Sequence, residues 1–171
     1  MSAMTAFRQC GASLVVVLLL LLIMTLLGLA AMRGTIMEER MTANMTDRNL
    51  AFQATEAALR EGEALAQATI APPTSGCVNG MCAIPTASSI DRWLDPSFNG
   101  WRAGTTTLTA SAVQAEFFVE YMGEAPTWPG CEQVVPVLPL CLAPRYRITA
   151  RTSSADNSRA EVLLQSNYLV Q

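Results

Sequence analysis

Histidine is absent from this chain of 171 residues, and so is lysine, leaving arginine to supply all eleven cationic side chains. Without an imidazole there is no Ser-His-Asp or Cys-His catalysis, no histidine zinc site and no histidine acid/base switch. Charge of either sign is scarce at 15% of residues, and the 14 acidic groups outnumber the basic ones to give a net charge of −3. A nucleic-acid partner is therefore not expected, because binding one needs a basic stripe that displaces phosphate counterions. Proline is missing until Pro72 and Pro73, so nothing in the first 71 residues forces a helix to break.

What is plentiful is apolar surface, and it is unevenly placed. Between Arg8 and Arg33 there is no charge, and from Ala12 to Met32 only Ser13, Thr25 and Gly28 interrupt an otherwise apolar run. As a helix this run rises about 31 Å, close to the ~30 Å hydrocarbon core of a bilayer. Arg8 on one side and Arg33 and Arg40 on the other do not set its orientation by the positive-inside rule. A cleaved secretory signal is the competing reading, with Gly28 and Ala30 as its small-residue site. The run is too long for one, and the helical pattern continues beyond it.

Past Met32 the residues become polar without a turn signal. Met37, Met41, Met45, Phe52, Leu59 and Ala66 recur at spacings of four and seven, which predicts one amphipathic stripe, and Glu56 and Arg60 form a favourable i,i+4 pair beside it. The expected helix runs from about Ala12 to about Ile70, roughly 88 Å at 1.5 Å per residue. A remaining domain of about 100 residues has a radius of gyration near 13 Å and cannot cover that length, so the lower part must meet lipid or neighbouring copies. Gly28 and Gly34 are its only weak points near the membrane.

The rest of the chain, 72–171, reads as a loop-rich head domain. Trp93, Phe98 and Trp101 stand among prolines and glycines and are expected to pin that loop to the domain. Thr105–Val113 reads as a strand on its threonines. Alternation at Phe117, Val119 and Tyr121, at Tyr146, Ile148 and Ala150, and at Ala160, Val162 and Leu164 predicts three antiparallel strands, the last two joined by a turn over 153–158. Glu116 and Glu120 fall on the opposite face, available to Arg145, Arg147 or Arg151 as exposed pairs or simply to solvent. The fold class is α+β: a long N-terminal helix packed on a small antiparallel sheet.

Five cysteines lie at Cys10, Cys77, Cys82, Cys131 and Cys141. The last four permit three pairings, and the spacing favours Cys77 with Cys82 and Cys131 with Cys141, since each pair flanks its own turn-rich segment. A four-thiolate zinc site fits poorly with gaps of four and nine residues. Disulfides place the head in an oxidising compartment outside the cytoplasmic membrane. Asp91 with Asp95, and Asp156 with Asn157 and Ser158, are the nearest approach to a catalytic or calcium-binding group, and solvated turns explain both. No catalytic residue, metal or cofactor is expected. Trp128, in the long connection from Gly123 to Pro144, is a candidate adhesive contact, with loop packing as the plainer reading.

A short leader ending at Gly11, then Ala12, a membrane-length apolar run and a disulfide-bearing sheet head together resemble a type IV prepilin. The segments Arg8–Val15, Leu26–Arg33, Glu38–Met41 and Asn49–Gly62 are similar to PilX-type minor pilins, with weaker likeness at Phe117–Glu124, Tyr146–Arg151 and Val162–Tyr168. The resemblance implies a leader over 1–11, a membrane and assembly helix over 12–33 and its amphipathic continuation over 34–71. It implies cleavage after Gly11 by a prepilin peptidase and N-methylation at Ala12, which removes Cys10. Its partners would be inner-membrane lipid before assembly, then other minor pilins, the major pilin and a tip adhesin. The chain would span the inner membrane once, with its head in the periplasm, before moving to the fibre tip.

One departure from the pattern is informative. Many pilins carry a glutamate at the fifth mature position, where this chain has Val16. A carboxylate in the bilayer is costly and is tolerated where it meets the amine of a neighbouring subunit; a subunit with no neighbour beyond it has no use for that group. The related alternatives are a minor pseudopilin of type II secretion and, in a different class, a signal-anchored periplasmic binding or sensor protein.

Overall fold

The computed structural model describes residues 12–68, 71–105, 113–152 and 159–170. Helix α1 (Ala12–Gln67) is followed by β1 (Cys77–Val78), β2 (Met81–Cys82), β3 (Arg102–Ala103), β4 (Ala115–Pro126), a 3₁₀ turn (Cys131–Gln133), β5 (Leu142–Thr152) and β6 (Leu163–Leu169). The arrangement is α+β. By its contacts the chain divides into two compact units, Met1–Asn44 and Met45–Gln171.

In the first unit α1 is unbroken, and its Leu, Val, Ile and Met side chains from Leu14 to Met41 are all exposed. It is long and apolar enough to cross a membrane. The hydroxyls of Thr25 and Thr35 donate to the carbonyls of Leu22 and Met32 at 2.8 and 2.9 Å, so neither needs an outside acceptor. A Cβ added at Gly28 or Gly34 would meet nothing within 4 Å.

In the second unit the upper part of α1 packs on the sheet with small residues. Ala51, Ala54, Thr55, Ala58, Gly62 and Ala66 are buried, whereas Met45 and Phe52 remain exposed. The predicted stripe is therefore rotated: of its members in this unit, Leu59 is partly buried and only Ala66 lies fully in the core. The reason is volume. Phe117, Val119 and Ile148 fill the space beneath the helix, and a Cβ on Gly62 would come within 2.5 Å of Ile148 Cγ2.

The sheet runs β1-β2-β4-β5-β6, with β3 also on β4. The expected antiparallel pattern holds for β4–β5 and β5–β6, but β2 pairs with β4 in parallel, making the sheet mixed. A two-residue strand followed by a long connection can return in either direction, so periodicity carried no sign of this. Asn79 and Gly80, both with positive φ (51° and 83°), close the β1–β2 hairpin. The β4–β5 register shifts between Tyr121 and Glu124, where Gly123 supplies a positive φ.

The third predicted strand begins later than expected, at Leu163, because the Ala160 N–H donates to Asp47 Oδ2 (2.7 Å) and leaves the ladder unopened until Thr152 pairs with Val162. Of the predicted strand at 105–113 only Val113 makes a bridge; 106–112, and the turn over 153–158, lie outside the described residues.

Candidate assembly surfaces

The outer face of the sheet is covered where the proline-rich segment crosses β4 and the middle of β5, while Arg145 and the β6 residues Leu163, Gln165 and Asn167 stay exposed on it. Glu120, expected as an exposed partner of an arginine, is 0% exposed and accepts from Arg92 at 2.6 Å and Arg147 at 2.8 Å. Arg147 lies over the Trp93 ring at 4.2 Å and reaches Asp91 at 3.8 Å. Glu116 pairs with Arg151 (2.7 Å), whose guanidinium stacks 3.9 Å from the centre of the Trp101 ring. Phe98, Trp101 and Phe118 meet edge to face. The proline-rich segment is thus a second layer: its aromatics cover β4 and β5, and its Arg92 joins Arg147 in neutralising the buried carboxylate. Trp93, Phe98 and Trp101 pin the loop as the sequence predicts. Arg92 and the burial of Glu120 were not foreseen, since the alternation that marks the outer face says nothing about a loop folding over it.

Asp47 fastens the other end of the head. Its carboxylate accepts from Arg159 Nε and Nη2 (3.0 and 2.7 Å) and from the Ala160 N–H, and these bonds, the Ala160 one foremost, hold its pKa below the usual aspartate value. Glu61 accepts the Thr105 N–H, Glu63 the Ser166 hydroxyl, and Gln67 bonds Tyr168. These partners are 44 to 113 residues apart in sequence, and no local pattern announces them.

The candidate catalytic carboxylates do not form a pair. Asp91 faces Arg147, while Asp95 accepts the Ser97 N–H and hydroxyl at 2.9 and 2.6 Å, bonds that lower its pKa. Asp156 and Asn157 lie outside the described residues, as do Cys10 and Gly11. Ala12 is the first described residue and is helical, and Val16 is 57% exposed on α1. Cys77 is bridged to Cys82, and Cys131 to Cys141, which leaves none of the four as a free thiolate for zinc.

Among the described residues, exposed apolar side chains include Met37 and Met41 on α1 in the first unit and, separately, Met45 and Phe52 in the second. The loop closed by Cys131–Cys141 is also exposed, with Val135 at 91% and Leu140 at 79%. Beside that loop Trp128, Leu140, Pro144 and Val170 wall a recess of about 410 Å³, so Trp128 lines a concave surface and is not packed away.

Against this geometry, residues 11–60 match the family model described as PilX N-terminal. Over that stretch the chain is similar to the PilX N-terminal family. No curated protein and no solved structure matches it. The PilX N-terminal match takes in Ala12, Val16, the exposed methionines, Asp47 and the small residues Ala51, Ala54 and Ala58; the sheet lies beyond it.

Proposed function

We propose that this protein is a membrane-anchored minor pilin that helps to initiate type IV pilus assembly within a minor pilin complex, at or near the fibre tip. The observation that carries the reading is the PilX N-terminal match laid over a helix that, from Ala12 onward, is membrane-length and apolar and continues without a break into residues that pack on a disulfide-bonded head. Residues 1–11 act as the leader, cut by a prepilin peptidase after Gly11 with methylation of Ala12. Residues 12–33 lie in inner-membrane lipid before assembly and against other minor pilins and the major pilin afterwards; 34–71 continue the helix and 72–171 form the periplasmic head. The work is done by packing and not by turnover, and a tip adhesin is a fitting further partner.

Val16 supports the tip position, because a subunit with no neighbour beyond it needs no buried carboxylate to meet an incoming amine. Deleting the gene should abolish or sharply reduce surface fibres, and the wild-type gene should restore them. Val16→Glu should leave processing intact and move labelled protein from fibre ends to internal positions. Unchanged fibre number in the deletion strain would overturn the assembly role, and labelled wild-type protein along the fibre length would overturn the tip placement.

A further inference from the structure

The sheet ends in two edges of different character. β1 is two residues long and tied to β2 by Cys77–Cys82, whereas β6 runs for seven residues, Leu163–Leu169, with no charge, proline or glycine in it. Short strands, charge and proline are the usual means by which a sheet edge is kept from pairing, and β6 has none of them. The ladder fixes which of its backbone groups are free. Val170 donates to Pro144 and Val162 accepts from Thr152, so the even-numbered residues face β5. The alternation then turns the N–H and C=O of Leu163, Gln165, Asn167 and Leu169 outward, and none of these groups has a partner among the described residues.

Two features at the far end of this edge indicate what it accepts. The apolar recess of about 410 Å³ opens where β6 stops, walled in part by Val170 and Pro144. Arg145, opposite Leu169 in the ladder, is exposed and has no acidic partner among the described residues, unlike Arg147 and Arg151 on the same face. An added strand would lie about 10 Å from β5, within the combined reach of an arginine and a glutamate side chain.

We propose that the free edge of β6 is a strand-acceptor site for an extended segment of another pilus subunit, one that places an apolar side chain in the recess and a carboxylate near Arg145. Backbone pairing gives the affinity, and the recess and Arg145 give the choice of segment. This rests on the pilin reading above and specifies how the head engages its neighbour.

The test uses the full-length chain in its native host. A photo-crosslinking amino acid at Asn167 should join an extended segment of another subunit, located by mass spectrometry of the crosslinked peptide. Asn167→Pro removes an outward N–H and spares the β5 ladder, and it should lower fibre number about tenfold, as a loss of about 1.4 kcal/mol in binding would. Asn167→Lys, which carries no risk to the backbone, should act in the same direction, and Arg145→Glu should weaken the crosslink. No crosslink, or one only to a helix or to lipid, overturns the proposal, as do normal fibre numbers in both Asn167 variants while the deletion strain lacks fibres. If the deletion strain itself keeps its fibres, the assembly reading fails, and the crosslink alone decides the edge.

Discussion

Gly62 has no side chain because Ile148 and Phe117 occupy the place where one would be. Gly62→Ala gains helix propensity but forces a Cβ to 2.5 Å from Ile148 Cγ2, deep in the core. Overpacking costs typically 1–3 kcal/mol and propensity returns about 1, and with so short an approach the upper end applies, so a net loss of up to about 2 kcal/mol is expected in denaturant unfolding of the full chain in detergent. Gly28→Ala, with open space around it, should not destabilise. Asp47 gives a pH signature. Its folded pKa lies below the usual aspartate value because the Ala160 N–H and Arg159 favour the carboxylate. The stability this lends is therefore present above the unfolded value of about 3.9 and lost as pH falls through the lower folded one. Thermal unfolding between pH 5 and 2 should show wild type losing more stability than Asp47→Asn, the two curves converging at the acid end; parallel curves would show that the bonds to Asp47 do not matter for folding.

At the scale of elements, the proline-rich segment and the sheet are joined through Glu120. Replacing it with leucine leaves Arg92 and Arg147 facing each other with no carboxylate between them. Breaking a buried pair on one side costs about 3–5 kcal/mol, and because both arginines are partly exposed the lower end is expected. Limited proteolysis should then cut first between Ile84 and Trp101. This element was legible only in part. Trp93, Phe98 and Trp101 were readable as anchors from their size among loop residues, and the three long strands from their alternation. The parallel β2, the buried Glu120 and the Asp47–Arg159 bond were not, because each depends on a partner 27 to 112 residues away that no periodicity encodes. The helix was readable over almost its full length, but its packed face was assigned to the large apolar residues when the sheet required small ones.

At the scale of the whole molecule, the apolar helix of the first unit, with Met37 and Met41 on it, and, separately, the exposed Met45 and Phe52 of the second are surface that a monomer has no use for. Membrane lipid and neighbouring subunits in turn are the environments that a pilin offers it. That account requires the N-terminal leader to be removed while the apolar helix is kept, which distinguishes a pilin from an exported enzyme or sensor whose hydrophobic segment is discarded or left whole. Mass spectrometry of the N-terminal peptide of the protein purified from its host decides this most directly. The account predicts a chain beginning at Ala12 with a methyl group on its amine; a chain beginning after Ala30, or one still carrying residues 1–11, would contradict it.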